Sequence, residues 1–398
     1  MDTMNRSLPS ASREAASTRA SVVIYCGVFL TGMLTTLLGP LLPVLSARWS
    51  LADAQAGYLF TAQFAGSMAG AVLTGLLLPR RGFRFSLVLG FALTAAGALP
   101  LGMGSWTVGL LAVFGYGVGL GFTIACTNMW VSDSNPERRS SALSLLNFTW
   151  GAGAVVCPFL FAVLHREGLG GTMAPALAAA FALVALLLAV LPFKEPKKEP
   201  ESVDLSATQA GVWSVRFGPA LGALFFLYVG TENALGGWVA SLAKRNSAGD
   251  GTLWMMAPSF FWGALLVGRG LAPMMLRFIT EVRIVLGGLL LATLGSVGLL
   301  AASSLGAVLA WATLAGFGLA AIYPIQVAWI SPTFGAASAR LAGRIFAMGA
   351  LGGATLPWLV GYLSTAFGGL KAGLVAPLAG SVLMIALLFF SPPPPAKR

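Results

Sequence analysis

The sequence predicts an all-α membrane protein: twelve transmembrane helices in two pseudo-symmetric six-helix bundles. Three observations carry that expectation. Hydrophobic residues make up 57% of the chain and charged residues only 9%; a soluble domain carries about 25% charged residues, so a water-facing surface of ordinary polarity cannot be assembled here. The apolar residues gather in runs near the roughly 20 residues that one bilayer crossing requires. A polar stretch from Lys194 to Ser214, KEPKKEPESVDLSATQAGVWS, divides those runs six and six, and its Pro, Glu and Lys content marks a solvated linker.

In chain order the spans are expected near 21–46, 55–78, 85–103, 106–131, 141–164 and 173–193, then 217–242, 253–276, 283–303, 305–330, 341–364 and 370–391. The implied organisation is a cytoplasmic tail 1–20, a first bundle 21–193, a cytoplasmic linker 194–216, a second bundle 217–391 and a cytoplasmic tail 392–398. Arg6, Arg13 and Arg19 precede span 1, which is too long for a signal-peptide core and is expected to be retained. With both termini inside, 19 of the 24 Lys and Arg residues fall on the cytoplasmic side, and Arg48, Arg166, Lys244, Arg245 and Lys371 fall outside. That bias is the positive-inside rule. It explains the net charge of +11 as topology, so no nucleic-acid partner is expected. Cys26, Cys126 and Cys157 lie inside spans without metal or redox spacing and read as packing residues. Trp106, Trp130 and Trp254, at span ends, read as interfacial anchors.

The two halves echo each other. GAVLTG at Gly70–Gly75 and GALLVG at Gly263–Gly268 are 193 positions apart, and the register continues to Arg84-Phe85 and Arg277-Phe278. GYG at 115–117 pairs with GFG at 316–318, and Pro158 with Pro357. Matches at nearly constant offset in corresponding spans argue for a duplicated six-span unit. Fifty glycines suit helices that approach closely in lipid. Pro40, Pro43, Pro158, Pro258, Pro324 and Pro357 can kink their spans, and each freed carbonyl must face protein or a wet cavity.

With this architecture the chain resembles the major facilitator superfamily over its whole length. The segment Gly75-Leu-Leu-Leu-Pro79-Arg80-Arg81-Gly82-Phe83-Arg84 resembles the family's hallmark between spans 2 and 3. Gly75, Arg80, Arg81, Gly82 and Arg84 match it as a conformational loop motif, but Pro79 stands where an acid is expected. The resemblance implies transport by alternating access. It also implies a site in the cell (inner) membrane and, because one chain closes the fold, a monomer.

Glu232 is the one acid that the sequence puts deep in a span, about 15 residues into span 7. An ionisable group at that depth is costly and is a functional candidate by default. Two readings stay open: a proton-coupling or substrate-binding carboxylate, or a structural one locked to Arg269 in span 8. Helical spacing puts Tyr228 and Gly236 on its face, with Asn233 and Trp238 nearby. Elsewhere the polar candidates for substrate binding are Thr36 with Thr35, Gln63, Asn128, Asn147 with Trp150, and Tyr323 with Gln326. Amides, hydroxyls and aromatic faces suit a neutral polyhydroxylated ligand. Tyr228-Val-Gly-Thr-Glu232-Asn233-Ala-Leu-Gly-Gly-Trp238 and Gly119-Leu-Gly121-Phe-Thr-Ile-Ala-Cys-Thr-Asn128 resemble stretches of the fucose/glucose/galactose permease group. Where fucose permeases carry acids in spans 1 and 4, this chain has Thr35 or Thr36 and Ile124.

The expectation is therefore symport of a monosaccharide or similar small neutral solute with protons, Glu232 carrying the proton, in contact only with substrate, protons and membrane lipid. A drug or metabolite exporter working by proton antiport and a sugar uniporter are the alternatives. The single histidine, His165, and the lack of a buried nucleophile with a base argue against an enzyme or a resident cofactor.

Overall fold

A computed structural model describes residues 10–193, 195–196, 216–247 and 251–393. The expected linker lies outside the described residues except for Glu195, Pro196 and Arg216, as do residues 1–9 and 394–398 of the two tails. The described chain is helical: α1 Ser10–Trp49, α2 Asp53–Ala98, α3 Trp106–Ser134, α4 Arg139–Arg166, α5 Met173–Val190, α6 Gly218–Arg245, α7 Ala257–Met275, α8 Glu281–Ala301, α9 Leu305–Leu319, α10 Ile322–Phe334, α11 Ser338–Ala366, α12 Leu370–Gly373 and α13 Val375–Phe390.

Among the described residues, nine helical segments are long and apolar enough to cross a membrane. One of them, α2, holds two expected spans, because its 46 residues are broken at Gly82, with φ 78° and ψ 173°. That backbone region is open essentially to glycine alone. Another joins α9 to α10, and another α12 to α13. The remaining long helices, α6 and α7, fall short of that apolarity, and they carry Glu232 and Arg269. The set accommodates the twelve expected spans.

Compactness divides the chain into two units. The first comprises Met1–Thr35, Ala65–Cys157 and Glu167–Pro200. Its helices touch backbone to backbone: a Cβ on Gly32 would stand 1.9 Å from the carbonyl of Trp150, and one on Gly97 would stand 2.0 Å from the amide of Tyr116. Helices in lipid gain most of their association from such close van der Waals packing, because burial from lipid brings no hydrophobic gain. Phe91 and Phe181 stack in this unit at 6.1 Å, and Tyr116 and Phe122 are fully buried as well.

The Gly82 turn also belongs to the first unit. The amides of Phe83 and Arg84 donate to Glu195 Oε2 and Oε1, each at 3.0 Å, so Glu195 caps the helix that restarts at Phe83. Arg84 Nε donates to the Leu188 carbonyl at 3.2 Å and its Nη2 to that of Ala189, both near the end of α5. The acid at this turn thus comes from the segment that follows α5. Trp130, expected at an interface, is instead buried, with its ring 6.0 Å from Phe193.

The second unit comprises Thr36–Phe64, Pro158–Arg166 and Glu201–Arg398. Helix α6 runs through it and packs against α7, α9, α10, α11 and α13. The α6–α11 contact is tight, since a Cβ on Gly352 would stand 1.9 Å from the Phe226 carbonyl. Helices α9 and α10 are separated at Ala320–Ala321. Pro324 supplies the reason: it has no N–H to offer the Ala320 carbonyl, and its ring crowds that carbonyl. Trp254, the other expected anchor that is buried, receives the Lys244 ammonium over its ring at 5.1 Å.

Candidate functional site

Three helices bring ionisable groups together inside the second unit. Tyr228 and Glu232 lie one turn apart on α6, Arg269 projects from α7 and Tyr323 from α10. Arg269 Nη2 donates to Glu232 Oε1 at 2.7 Å and to Tyr228 Oη at 3.3 Å. The Tyr228 hydroxyl lies 3.0 Å from Glu232 Oε1 and 3.2 Å from the carbonyl of Leu319, the last residue of α9. Its ring sits 5.8 Å from that of Tyr323, which in turn meets Phe225 edge-on at 5.7 Å.

The carboxylate and guanidinium side chains retain 10% and 22% of their exposure, so the pair is mostly desolvated and still reachable. Such a pair holds only if each charge has its partner and the remaining polar atoms are satisfied. Two buried polar atoms of this unit have no protein partner among the described residues: Arg269 Nε, in the pair itself, and Oε1 of Gln326 on α10, whose Nε2 reaches the Leu224 carbonyl of α6 at 3.5 Å. They are one spare donor and one spare acceptor. Together the cluster can hold a charge pair, exchange a proton at the carboxylate and offer hydrogen bonds to a polar ligand.

The other expected site residues are distributed as follows. In the second unit Thr36 and Gln63 are buried. Asn233 Nδ2 donates to its own helix at the Val229 carbonyl, 2.8 Å away. Trp238 is 1% exposed, donates Nε1–H to the Pro357 carbonyl at 2.8 Å and packs its ring 6.0 Å from Phe60. Its aromatic face is therefore used within the packed protein. In the first unit Asn128 and Asn147 donate to the carbonyls of Ile124 and Leu143, at 2.8 and 2.9 Å, and Trp150 is half-buried. An amide engaged in this way keeps its carbonyl oxygen and one N–H for a ligand. Arg80 Nη1 donates to the Leu76 carbonyl at 2.6 Å, Arg81 lies over the Phe85 ring at 5.7 Å, and Gly75 has open space where a side chain would go.

Sequence reasoning missed a further polar cluster in the second unit. Arg245, in the last turn of α6, donates to both oxygens of Asp53 at 2.6 and 2.8 Å. Ser364 Oγ also donates to Asp53, and the Ala54 amide donates to Thr365 Oγ1 at 2.9 Å. Asp53 in a first helical turn and Arg245 in a last one each sit where the helix dipole favours them. Those positions were readable, but their meeting was not.

A family model described as Major Facilitator Superfamily matches residues 24–282. The chain belongs to that superfamily and is a multi-pass membrane transporter, not an enzyme. It is 26% identical over 383 residues to the sodium-dependent glucose transporter 1 of Danio rerio, covering 85% of this chain and 63% of that protein. The chain thus spans somewhat less than two thirds of that relative's length. Its fold is similar to a bacterial homolog of the human lysosomal transporter Spinster, with TM-score 0.77 and 16% identity, covering 94% of this chain and 97% of the other. It is also similar to the E. coli fucose:proton symporter FucP, with TM-score 0.63 and 18% identity, covering 94% and 99%. At such identities the likeness to solved structures is one of fold.

Proposed function

We propose that this transporter carries a small neutral solute, with a monosaccharide as the favoured class, together with protons by alternating access, and that Glu232 is the group that takes up and releases the proton. The observation that carries the reading is the mostly buried, still reachable Glu232 carboxylate held at 2.7 Å by Arg269 and at 3.0 Å by Tyr228. Protonation neutralises the carboxylate alone, loosens its hold on Arg269 and frees donors of the guanidinium for solute hydroxyls. Deprotonation draws Arg269 back and releases the solute.

In the second unit Thr36, Gln63, Tyr228, Asn233, Tyr323 and Gln326 are the residues we assign to the solute's hydrogen bonds and ring contacts, while Trp238 braces span 7; in the first unit the corresponding candidates are Asn128, Asn147 and Trp150. Gly75, Arg80, Arg81, Gly82 and Arg84 form the conformational loop. The halves are 21–193 and 217–391, joined by the cytoplasmic linker 194–216, in a monomer of the cell membrane with both termini inside. The sugar class is supported by the names of the Danio rerio relative, a glucose transporter described as sodium-dependent, and of the fucose:proton symporter FucP.

A sugar uniporter, with the Glu232–Arg269 pair purely structural, is the second reading, favoured by the carboxylate already having its partners. Proteoliposomes decide between them. With an inward acid gradient, labelled hexoses and fucose are followed with wild type and Glu232→Gln, and a sodium gradient serves as the comparison arm. Accumulation driven by the proton gradient and lost in Glu232→Gln, with exchange retained, supports symport. Equal accumulation by the variant, or accumulation only with sodium, refutes proton coupling through Glu232.

A further inference from the structure

We infer that Tyr228 is a positioning residue that connects the protonation state of Glu232 to the break in the tenth span, by turning its single hydroxyl hydrogen between two acceptors. The inference rests on the proposed role of Glu232 and goes beyond it. It names the group through which the carboxylate is felt by the backbone.

The geometry is specific. Tyr228 Oη has two acceptors in reach, Glu232 Oε1 at 3.0 Å and the Leu319 carbonyl at 3.2 Å, and receives Arg269 Nη2 at 3.3 Å. A phenol has one hydrogen to donate, so the two acceptors compete for it. With Glu232 ionised, the hydrogen goes to the carboxylate, because a charge-assisted bond is roughly twice as strong as a neutral one. Leu319 ends α9, and the last carbonyls of a helix lack intrahelical partners. In lipid such a carbonyl must be satisfied by protein. When Glu232 takes up a proton, Oε1 weakens as an acceptor and the phenolic hydrogen turns to Leu319. The tyrosine keeps its proton throughout, and only the direction of its bond changes.

Besides Arg269 and Tyr323, no further titratable group stands near this point among the described side chains. Helix α7 brings Arg269 and α10 brings Tyr323, whereas α9 and α13 carry no titratable residue. Helix α11 meets this level of α6 with Gly352 and Leu356; its described titratable groups, Arg344 and Tyr362, lie toward its two ends. The hydrogen therefore answers to Glu232.

The test uses the full chain in liposomes. Tyr228→Phe keeps the ring and removes the hydrogen. Proton-driven accumulation is expected to fall by about tenfold or more, the factor that one hydrogen bond to a charged group is worth, and the pH dependence of the exchange that remains should flatten. Amide hydrogen exchange over residues 320–325 provides the second readout. Its protection should change with pH in wild type, be insensitive to pH in Tyr228→Phe, and stay at the low-pH value in Glu232→Gln. Loss of accumulation in Glu232→Gln with a wild-type pH profile and accumulation in Tyr228→Phe overturns this inference alone. Wild-type behaviour of Glu232→Gln overturns the proposed function beneath it. If Tyr228→Phe does not fold, wild type against Glu232→Gln still decides, and protection at 320–325 that ignores pH in wild type refutes the relay.

Discussion

Replacing Glu232 by leucine should harm this protein more than replacing Arg269, and replacing both should harm it least. Removing one member of a buried ion pair costs about 3–5 kcal/mol, chiefly because the survivor is left desolvated and unmatched. The side chains here are 10% and 22% exposed, so the lower end applies. For Glu232→Leu that is about 3 kcal/mol, or roughly 150-fold in the folded population. The stranded guanidinium cannot shed its proton, and its remaining acceptor is the Tyr228 hydroxyl at 3.3 Å. In Arg269→Leu the stranded carboxyl can become neutral by taking a proton and keep its bond to Tyr228, so about 1–2 kcal/mol is expected, one hydrogen-bond partner's worth. The double variant replaces the pair by two leucines and should fall within about 1 kcal/mol of wild type, leaving a coupling of about 3–5 kcal/mol. Unfolding of the purified variants in mixed micelles, followed by tryptophan fluorescence, measures all three. Additive losses in the double variant would refute the claim that these two charges depend on each other.

Two further outcomes follow from backbone features. Pro324→Ala returns an N–H to the Ala320 carbonyl and should join α9 to α10, raising stability by up to about 3 kcal/mol, the size of a mid-helix proline's cost; amide protection at 320–325 should rise and the transport rate should drop. Gly82→Ala forces a side chain onto φ 78° with Glu195 Oε1 3.1 Å from the new Cβ, for a loss of about 1–3 kcal/mol. Glu195→Gln should cost about 0.5–2 kcal/mol as a weakened cap, and the two losses should not add. Thermal unfolding of the single and double variants checks both.

The spans were legible because lipid imposes a length and a polarity that a linear reading can measure. Glu232 was legible for the same reason, as an acid where acids are costly, and Arg269 was already its one plausible partner. The kink at Pro324 followed from a missing N–H. Three-dimensional pairings were not legible. Asp53 meets Arg245 across 192 positions, and Glu195 meets Phe83 across 112; no local pattern encodes either. The asparagines show a different limit. Their type marked Asn128, Asn147 and Asn233 as polar candidates, but that each amide turns back to the carbonyl four residues earlier is set by side-chain geometry on the helix. Trp238 looked like a ligand platform until the position of Pro357 was known.

The Gly82 turn has a consequence for anyone building chimaeras of such transporters. Because its anion comes from the segment after α5 and Arg84 anchors on the carbonyls of Leu188 and Ala189, residues 75–84 are not a self-contained cassette. Grafted alone into a related chain, the loop would arrive with two uncapped amides and an arginine without its anchor. A graft that works has to carry residues 188–195 with it, two stretches inherited as one part.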